Sequence, residues 1–182
     1  MKQKIELFGM ESGLFDELSI NIVELASQPF QVQVKKGSPG KAGVWRNLTD
    51  MGYGLSQVLP LITEIVRPDA LPMSLLQQPE VHLHPRAQAA LGSFYCRMAE
   101  SEHQLLVETH SDHLINRVRM DIRDNKTKLT PDDVSILYFD RVDLDVQIHS
   151  LKISADGSVA SPPSYSDFFM DEVNRELGIT TV

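Results

Sequence analysis

The chain has a single cysteine, Cys96, and a single tryptophan, Trp45, in 182 residues. One cysteine excludes disulfides within the chain. It falls in a predicted helix beside Tyr95 and Met98 and reads as a packed small apolar group. A reducing cytoplasm is the natural compartment for such a chain. No apolar run is long enough to span a bilayer. No basic stretch followed by an apolar one opens the sequence, so a secretory leader is not expected. Basic charge is also scarce. The net charge of −8 excludes a nonspecific coat on nucleic acid, because neutralising phosphates takes a basic stripe. The one basic cluster, Arg117, Arg119, Arg123, Lys126 and Lys128, reads as the solvated side of a helix. Internal repeats and low-complexity segments are missing too. What is present is a 42% apolar content, enough for a real core in one domain or two small lobes.

The opening third predicts an antiparallel β piece with one wet face. Ile5-Glu6-Leu7-Phe8 alternates and is closed by Gly9 and Gly13. Ile20, Ile22 and Leu25 suggest one strand, and Phe30, Val32 and Val34 alternate with Gln31, Gln33 and Lys35 in another. Lys36 to Lys41, rich in Gly and Ser around Pro39, reads as a turn or loop. After Asn47 the character changes. Glycines 52 and 54 lead into Leu55, Val58, Leu59, Ile62 and Ile65 at helical spacing, with Pro60 predicting a kink or a later start. A glycine turn entering a helix leaves backbone N–H groups beside a positive dipole end, which is an anion site in principle and a tight turn in the plainer reading.

The centre of the chain is a strand, Pro72 to Gln77, that stops at the polar turn Gln78-Pro79-Glu80-Val81-His82-Leu83-His84 before a helix beginning at Pro85. Ala87, Ala90, Leu91, Phe94, Tyr95 and Met98 mark the inner side of that helix. Gln104-Leu105-Leu106-Val107 predicts a second strand, covered on both faces, ending at Glu108-Thr109-His110. Leu114, Ile115, Val118 and Ile122 follow as a helix. Strand, helix, strand, helix implies two parallel strands. In such sheets the residues just past the strand C-termini face the ligand crevice, and the polar clusters 77–84 and 108–113 both fall there. Val134 to Phe139 and Val146 to Leu151 predict a hairpin, Asp156-Gly157 a turn, and Phe168, Phe169, Val173 and Leu177 an amphipathic tail helix.

Three segments carry a resemblance: Gly-Tyr-Gly-Leu-Ser-Gln-Val-Leu-Pro at 52–60, Gln-Pro-Glu-Val-His-Leu-His-Pro at 78–85, and Thr-His-Ser-Asp-His at 109–113. With the tail from Asp167-Phe168-Phe169 to Leu177-Gly178, they resemble ABC-type ATPases of the overcoming-lysogenization-defect, SMC and recombination-repair kind. More closely, they resemble bacterial AAA-family ATPases with a C-terminal domain of unknown function ending in a paired-Phe helix. The likeness runs from about residue 12 to 178. It implies a fold class of α/β type, a partial P-loop NTPase fold with parallel strands, flanking helices and an N-terminal antiparallel β piece. The implied divisions are 1–47 (β segment), 48–151 (C-terminal ATPase lobe) and 152–182 (tail with helix).

By that resemblance Asp50, Gly52, Gly54, Ser56 and Gln57 occupy the signature motif, which caps the γ-phosphate of ATP held by the opposite subunit. Gln77 takes the Mg²⁺ position of Walker B and Gln78 the catalytic position, with Glu80 the nearest carboxylate. His110 matches the switch histidine that contacts the γ-phosphate and orients water. Two departures stand out. Glutamine neither takes a proton nor balances a dication, so hydrolysis is slow, is carried by Glu80, or is lost. The phosphate loop Gly-x-x-x-x-Gly-Lys-Ser/Thr is absent; Gly37-Ser38-Pro39-Gly40-Lys41-Ala42 has the wrong spacing and no hydroxyl. The resemblance therefore implies a C-terminal half. ATP and Mg²⁺ would be held in a homodimer, or with a Walker A-bearing N-terminal half, with DNA reached through the assembly and no membrane. Two alternatives remain at this level. One is a non-enzymatic interaction module using a sheet edge or the tail helix. The other is a metal-dependent phosphoesterase using His82, His84, His110 and His113.

Overall fold

The computed structural model describes residues 1–25, 28–38, 41–160, 162 and 165. Its first element is helix α1 (Lys2–Ser12), where alternation suggested an extended piece. The burial pattern explains the difference. Ile5, Phe8, Gly9 and Ser12 are the buried residues, spaced at i, i+3, i+4 and i+7, whereas Leu7 faces outward. Gly13 ends the helix at φ 76°, a left-handed C-cap that glycine adopts without strain. Glu11 then pairs through both carboxylate oxygens with Arg97, at 3.1 and 2.8 Å, tying α1 to the central helix.

Strands β1 (Glu17–Leu25), β2 (Gln28–Ser38) and β3 (Lys41–Asn47) form an antiparallel sheet in that order. Leu18 lies opposite Val34, Ile20 opposite Val32 and Ile22 opposite Phe30, so these residues share one face. On β1 and β2 this face is apolar as far as Val34, which is buried with Leu18 while Ile20, Ile22 and Phe30 are exposed, and Arg46 of β3 lies opposite Val34 on it. The opposite face is polar, with Asn21 bonded to Gln33 and Gln33 to Asn47. Of the loop expected over 36–41, residues 39 and 40 lie outside the described residues.

After a 3₁₀ turn (Leu48–Asp50), helix α2 (Tyr53–Val66) runs unbroken through Pro60, whose ring sits on the exposed side. Leu55, Val58, Leu59, Ile62 and Ile65 form its buried stripe, as the spacing predicts. Strands β4 (Met73–Gln77) and β5 (Gln104–Glu108) are parallel and pair in register from Met73–Gln104 to Gln77–Glu108. Helix α3 (Pro85–Ala99) joins them, and α4 (Asp112–Arg123) follows β5. Ile5, Phe8, Phe15, Ile62, Leu91 and Phe94 form the centre of one core, with Phe8 set edge-on to Phe94 at 6.0 Å.

The expectation that β5 is covered on both faces is wrong. Leu76, Leu105 and Val107 pack on the core, but Leu75 is 70% exposed and Leu106 60% exposed. Successive side chains alternate, and the described residues supply helices to one face only.

The chain divides into two compact units, Met1–Asp121 and Ile122–Val182. The second contains the hairpin of β6 (Ile136–Val142) and β7 (Asp145–Leu151), closed by Asp143 at φ 57° and Leu144. Phe139 lies opposite Ile148, and both are exposed. Asp156-Gly157 forms the expected turn, with Gly157 N donating to Ser154 O at 2.8 Å and the Asp156 carboxylate accepting from Ser158. The tail helix predicted around Phe168, Phe169, Val173 and Leu177 lies outside the described residues.

Candidate functional site

Both parallel strands end at the same level, with Gln77 paired to Glu108. The chain then leaves β4 through a turn in which two non-glycine residues take left-handed backbone, Gln78 at φ 43° and His82 at φ 70°. Such conformations persist only where surrounding bonds over-determine them, and they concentrate at functional sites. Here Gln78 N donates to Glu108 O at 2.8 Å, Val81 N to Gln78 O at 3.2 Å and Leu83 N to Glu80 O at 2.9 Å. The turn aims the Glu80 side chain inward, where it is 5% exposed.

One oxygen of Glu80 holds the other strand end. Its Oε1 accepts from Thr109 Oγ1 at 2.7 Å and from His110 N at 2.9 Å. Thr109 Oγ1 in turn accepts from Ser111 N at 3.0 Å. Ser111 Oγ accepts from Leu114 N at 3.1 Å, capping α4, and donates to Gln88 Oε1 at 2.7 Å. Gln88 Nε2 closes the circuit by donating to Leu83 O at 2.8 Å. The 78–84 turn, the 109–111 loop and the first turns of α3 and α4 are thus one hydrogen-bonded unit. His110 itself points to solvent, its imidazole exposed above this base.

The other side of the turn meets α2. Gly54 lies so close to it that a Cβ there would clash with the carbonyl oxygen of His82. The ring of Tyr53 sits edge-on to that of His82 at 4.6 Å. Among the described residues no side chain caps α2, whose N-cap is Gly52, and a Cβ at Gly52 would meet nothing within 4 Å. An uncapped N-terminus beside open space leaves its backbone N–H groups to a ligand or to water. Gly52, Tyr53, Gly54, His82 and His84 line an open cleft of about 430 Å³ there. Asp50, Ser56 and Gln57 are not among its walls: Asp50 and Gln57 are exposed, and Ser56 Oγ turns back toward Leu48 O at 3.5 Å.

The four histidines do not converge on a metal. Among the described residues no three His, Cys, Asp or Glu side chains group closely enough to hold one. His84 Nδ1 instead accepts from Ala87 N at 3.4 Å, at the cap of α3. A phosphate-bound Mg²⁺ asks less of the protein, one or two carboxylates besides the substrate's oxygens. Glu108 is a carboxylate exposed at the strand ends. Gln77 and Gln78 bring amide oxygens, and Glu108, exposed at the register position beside Gln77, brings a carboxylate within 3.4 Å of Gln78 Nε2.

Sequence reasoning placed Glu108, Thr109 and Ser111 in the 108–113 strand-end cluster without giving them individual roles, and it passed over Gln88. Glu108 ends its strand as Gln77 ends the other. Burial also shifts two groups nearby. Tyr95 is held far above its ordinary range by desolvation and then by the Glu80 charge, and the Cys96 thiol is pushed up to about 12 by burial first and Asp121 second.

Polar strand ends on a parallel strand–helix–strand unit, with an uncapped glycine-led helix packed against them, define an ATPase-related α/β domain. Residues 9–116 match the family described as "AAA domain, putative AbiEii toxin, Type IV TA system", and the chain belongs to that family. No curated protein sequence matches it. Solved structures do. One, from a study of "ATP-driven dimerization and DNA stimulated activation of SMC ATPases", matches over 95% of this chain and 90% of its own, at 14% identity and a TM-score of 0.57. A second is the Smc head domain from Pyrococcus furiosus with an extended coiled coil, bound to the C-terminal domain of ScpA (95% of this chain, 13% identity, TM-score 0.55). A third is an Smc head bound to the winged-helix domain of ScpA (84%, 13%, TM-score 0.54). This chain spans 37% and 42% of the last two, well under half their length. The shared feature at such identity is the fold, the P-loop NTPase fold of SMC heads.

Proposed function

We propose that this chain provides the signature, Walker B and switch-histidine parts of an ABC-type ATP site. A Walker A-bearing half or partner completes the site, and the chain alone binds ATP weakly or not at all. The observation that carries this reading is the shared turn, residues 78–84. It packs on one side against Gly54 and Tyr53 at the uncapped start of α2 and on the other against Thr109 and His110.

In this reading the α2 N-terminus, with Gly52 and Gly54 and flanked by Asp50, Ser56 and Gln57, receives the γ-phosphate of a nucleotide held by a second subunit. Its N–H groups and dipole would stabilise charge that develops during transfer. The exposed imidazole of His110 lies at a strand end of the same unit and would orient the attacking water. Gln77 and Glu108 would hold Mg²⁺, whose chemistry is to neutralise phosphate charge. Gln78, at the position where an activating carboxylate is expected, orients water but takes no proton, so turnover is slow. The working form is a dimer in the cytoplasm. The related SMC ATPases are described as dimerising with ATP and as stimulated by DNA, which makes DNA the first effector to test.

The test pairs the chain with a Walker A-bearing N-terminal half. ATP-dependent dimerisation by light scattering, and phosphate release lost in His110→Ala, are the expected results. A stable pair with no nucleotide effect on either measure would overturn the reading. It would leave a protein-interaction module, a role that the exposed Leu75 and Leu106 also suit.

A further inference from the structure

Glu80 is a carboxylate buried in the core. Taking a charge out of water is costly unless it is paired or hydrogen-bonded. Among the described residues Glu80 Oε2 is buried with no hydrogen-bond partner, as is the nearby Tyr95 hydroxyl. A carboxylate meant to activate water from the strand-end crevice would face that crevice. This one is only 5% exposed, with left-handed backbone at Gln78 and His82 on either side of it in the chain. All of its described bonding goes through Oε1 to the Thr109 hydroxyl and the His110 amide.

We propose that Glu80 is the positioning residue for His110, fixing the backbone from which the imidazole projects, and that it is not the carboxylate that activates water. The proposal rests on the ATPase reading for its consequence but not for its geometry. The two short bonds join the end of β4 to the end of β5, and Thr109 passes the constraint to Ser111 and the cap of α4. His110 is left with a fixed Cα and an exposed ring, the state a residue needs when its ring must meet a phosphate at a set distance. An acceptor oxygen is required at this spot; a negative charge is not. Glutamine should therefore serve where alanine and the shorter aspartate fail.

Amide hydrogen exchange read by NMR on the full chain tests this without any nucleotide. In Glu80→Ala and Glu80→Asp the His110 amide should exchange about tenfold faster or more, with the β4 and β5 amides unchanged, and Glu80→Gln should restore wild-type protection. Unchanged exchange at His110 in Glu80→Ala overturns the proposal, and so does equal loss in Glu80→Gln and Glu80→Ala. Should Glu80→Ala not fold, Thr109→Val removes one donor and leaves the carboxylate. Faster exchange at His110 and Ser111 then supports the proposal, and unchanged exchange at both overturns it.

Turnover of the paired protein adds a second readout. A positioning role makes Glu80→Ala with His110→Ala no slower than His110→Ala alone, whereas a separate water-activating role makes the losses multiply. If the wild-type pair shows no turnover, the ATPase reading fails while the exchange result still decides the role of Glu80.

Discussion

Gln77 and Glu108 stand opposite each other at the ends of two parallel strands, an amide where a carboxylate is expected and a carboxylate one strand away. Both are exposed, and Glu108 also receives the Gln78 amide at 3.4 Å. The charge that the β4 end lacks is therefore available from β5.

Removing that charge should be more damaging than its position in the sequence suggests. Glu108→Gln is expected to lower Mg²⁺-dependent phosphate release by the paired protein by about tenfold or more, at unchanged stability. Gln77→Asp with Gln78→Glu is expected to raise it, by restoring a cation ligand and a proton acceptor. Magnesium titrations of phosphate release read both. Wild-type rates in Glu108→Gln would remove this residue from the cation site.

The two glycines before and within the start of α2 should separate packing from ligand binding. Gly54→Ala forces a Cβ onto the His82 carbonyl and should destabilise the chain by roughly 1–3 kcal/mol. Gly52→Ala adds a methyl group in open space at φ −58° and ψ 153°, a conformation alanine accepts, and should change stability by no more than about 0.5 kcal/mol. Urea denaturation of both variants checks this. Any effect of Gly52→Ala on nucleotide-driven dimerisation then reports the ligand site.

The Ser111 hydroxyl both caps α4 and bridges to Gln88. Ser111→Ala should cost about 1 kcal/mol, as lost caps do, and should leave the Gln88 carbonyl oxygen without that donor. Gln88→Leu removes both bonds of the bridge and should loosen the 82–84 turn. Denaturation curves for the single and double variants should give less than additive losses, because the two side chains share one bond.

Alkaline pH should expose the buried thiol. Cys96 rises from 9.0 to about 12 in the folded chain, so between those values the unfolded chain releases a proton that the folded chain keeps. Its contribution to stability is complete below pH 9 and falls away as pH rises toward 12. Cys96→Ala should flatten the loss of stability over that window. At pH 8 the wild-type thiol should resist alkylation until denaturant is added, a difference that mass spectrometry resolves.

The elements that follow periodic burial could be read directly. The stripe Leu55, Val58, Leu59, Ile62 and Ile65, and the inner side of α3 from Ala87 to Met98, are both where their spacing puts them. The parallel pair β4–β5 followed from strand–helix–strand order, and the strand-end clusters from the rule that such turns share one edge. The start of the chain misled, because over four residues Ile5 and Phe8 fit a helix as well as an alternation, and only packing on α3 separates the two. Coverage of β5 also misled, since an apolar run states what a strand can bury and not what arrives to bury it.

By itself, then, the sequence determined the class of fold and the residues standing at the strand ends, because both are set by local periodicity and by chain order. Tertiary structure decided what those residues do to one another. It turned Glu80 inward to the His110 amide, set Glu108 beside Gln77, and brought Gly54 onto the His82 carbonyl. These relations join positions about thirty residues apart. They depend on side-chain direction and on left-handed backbone at Gln78 and His82, which the closed set of hydrogen bonds holds in place.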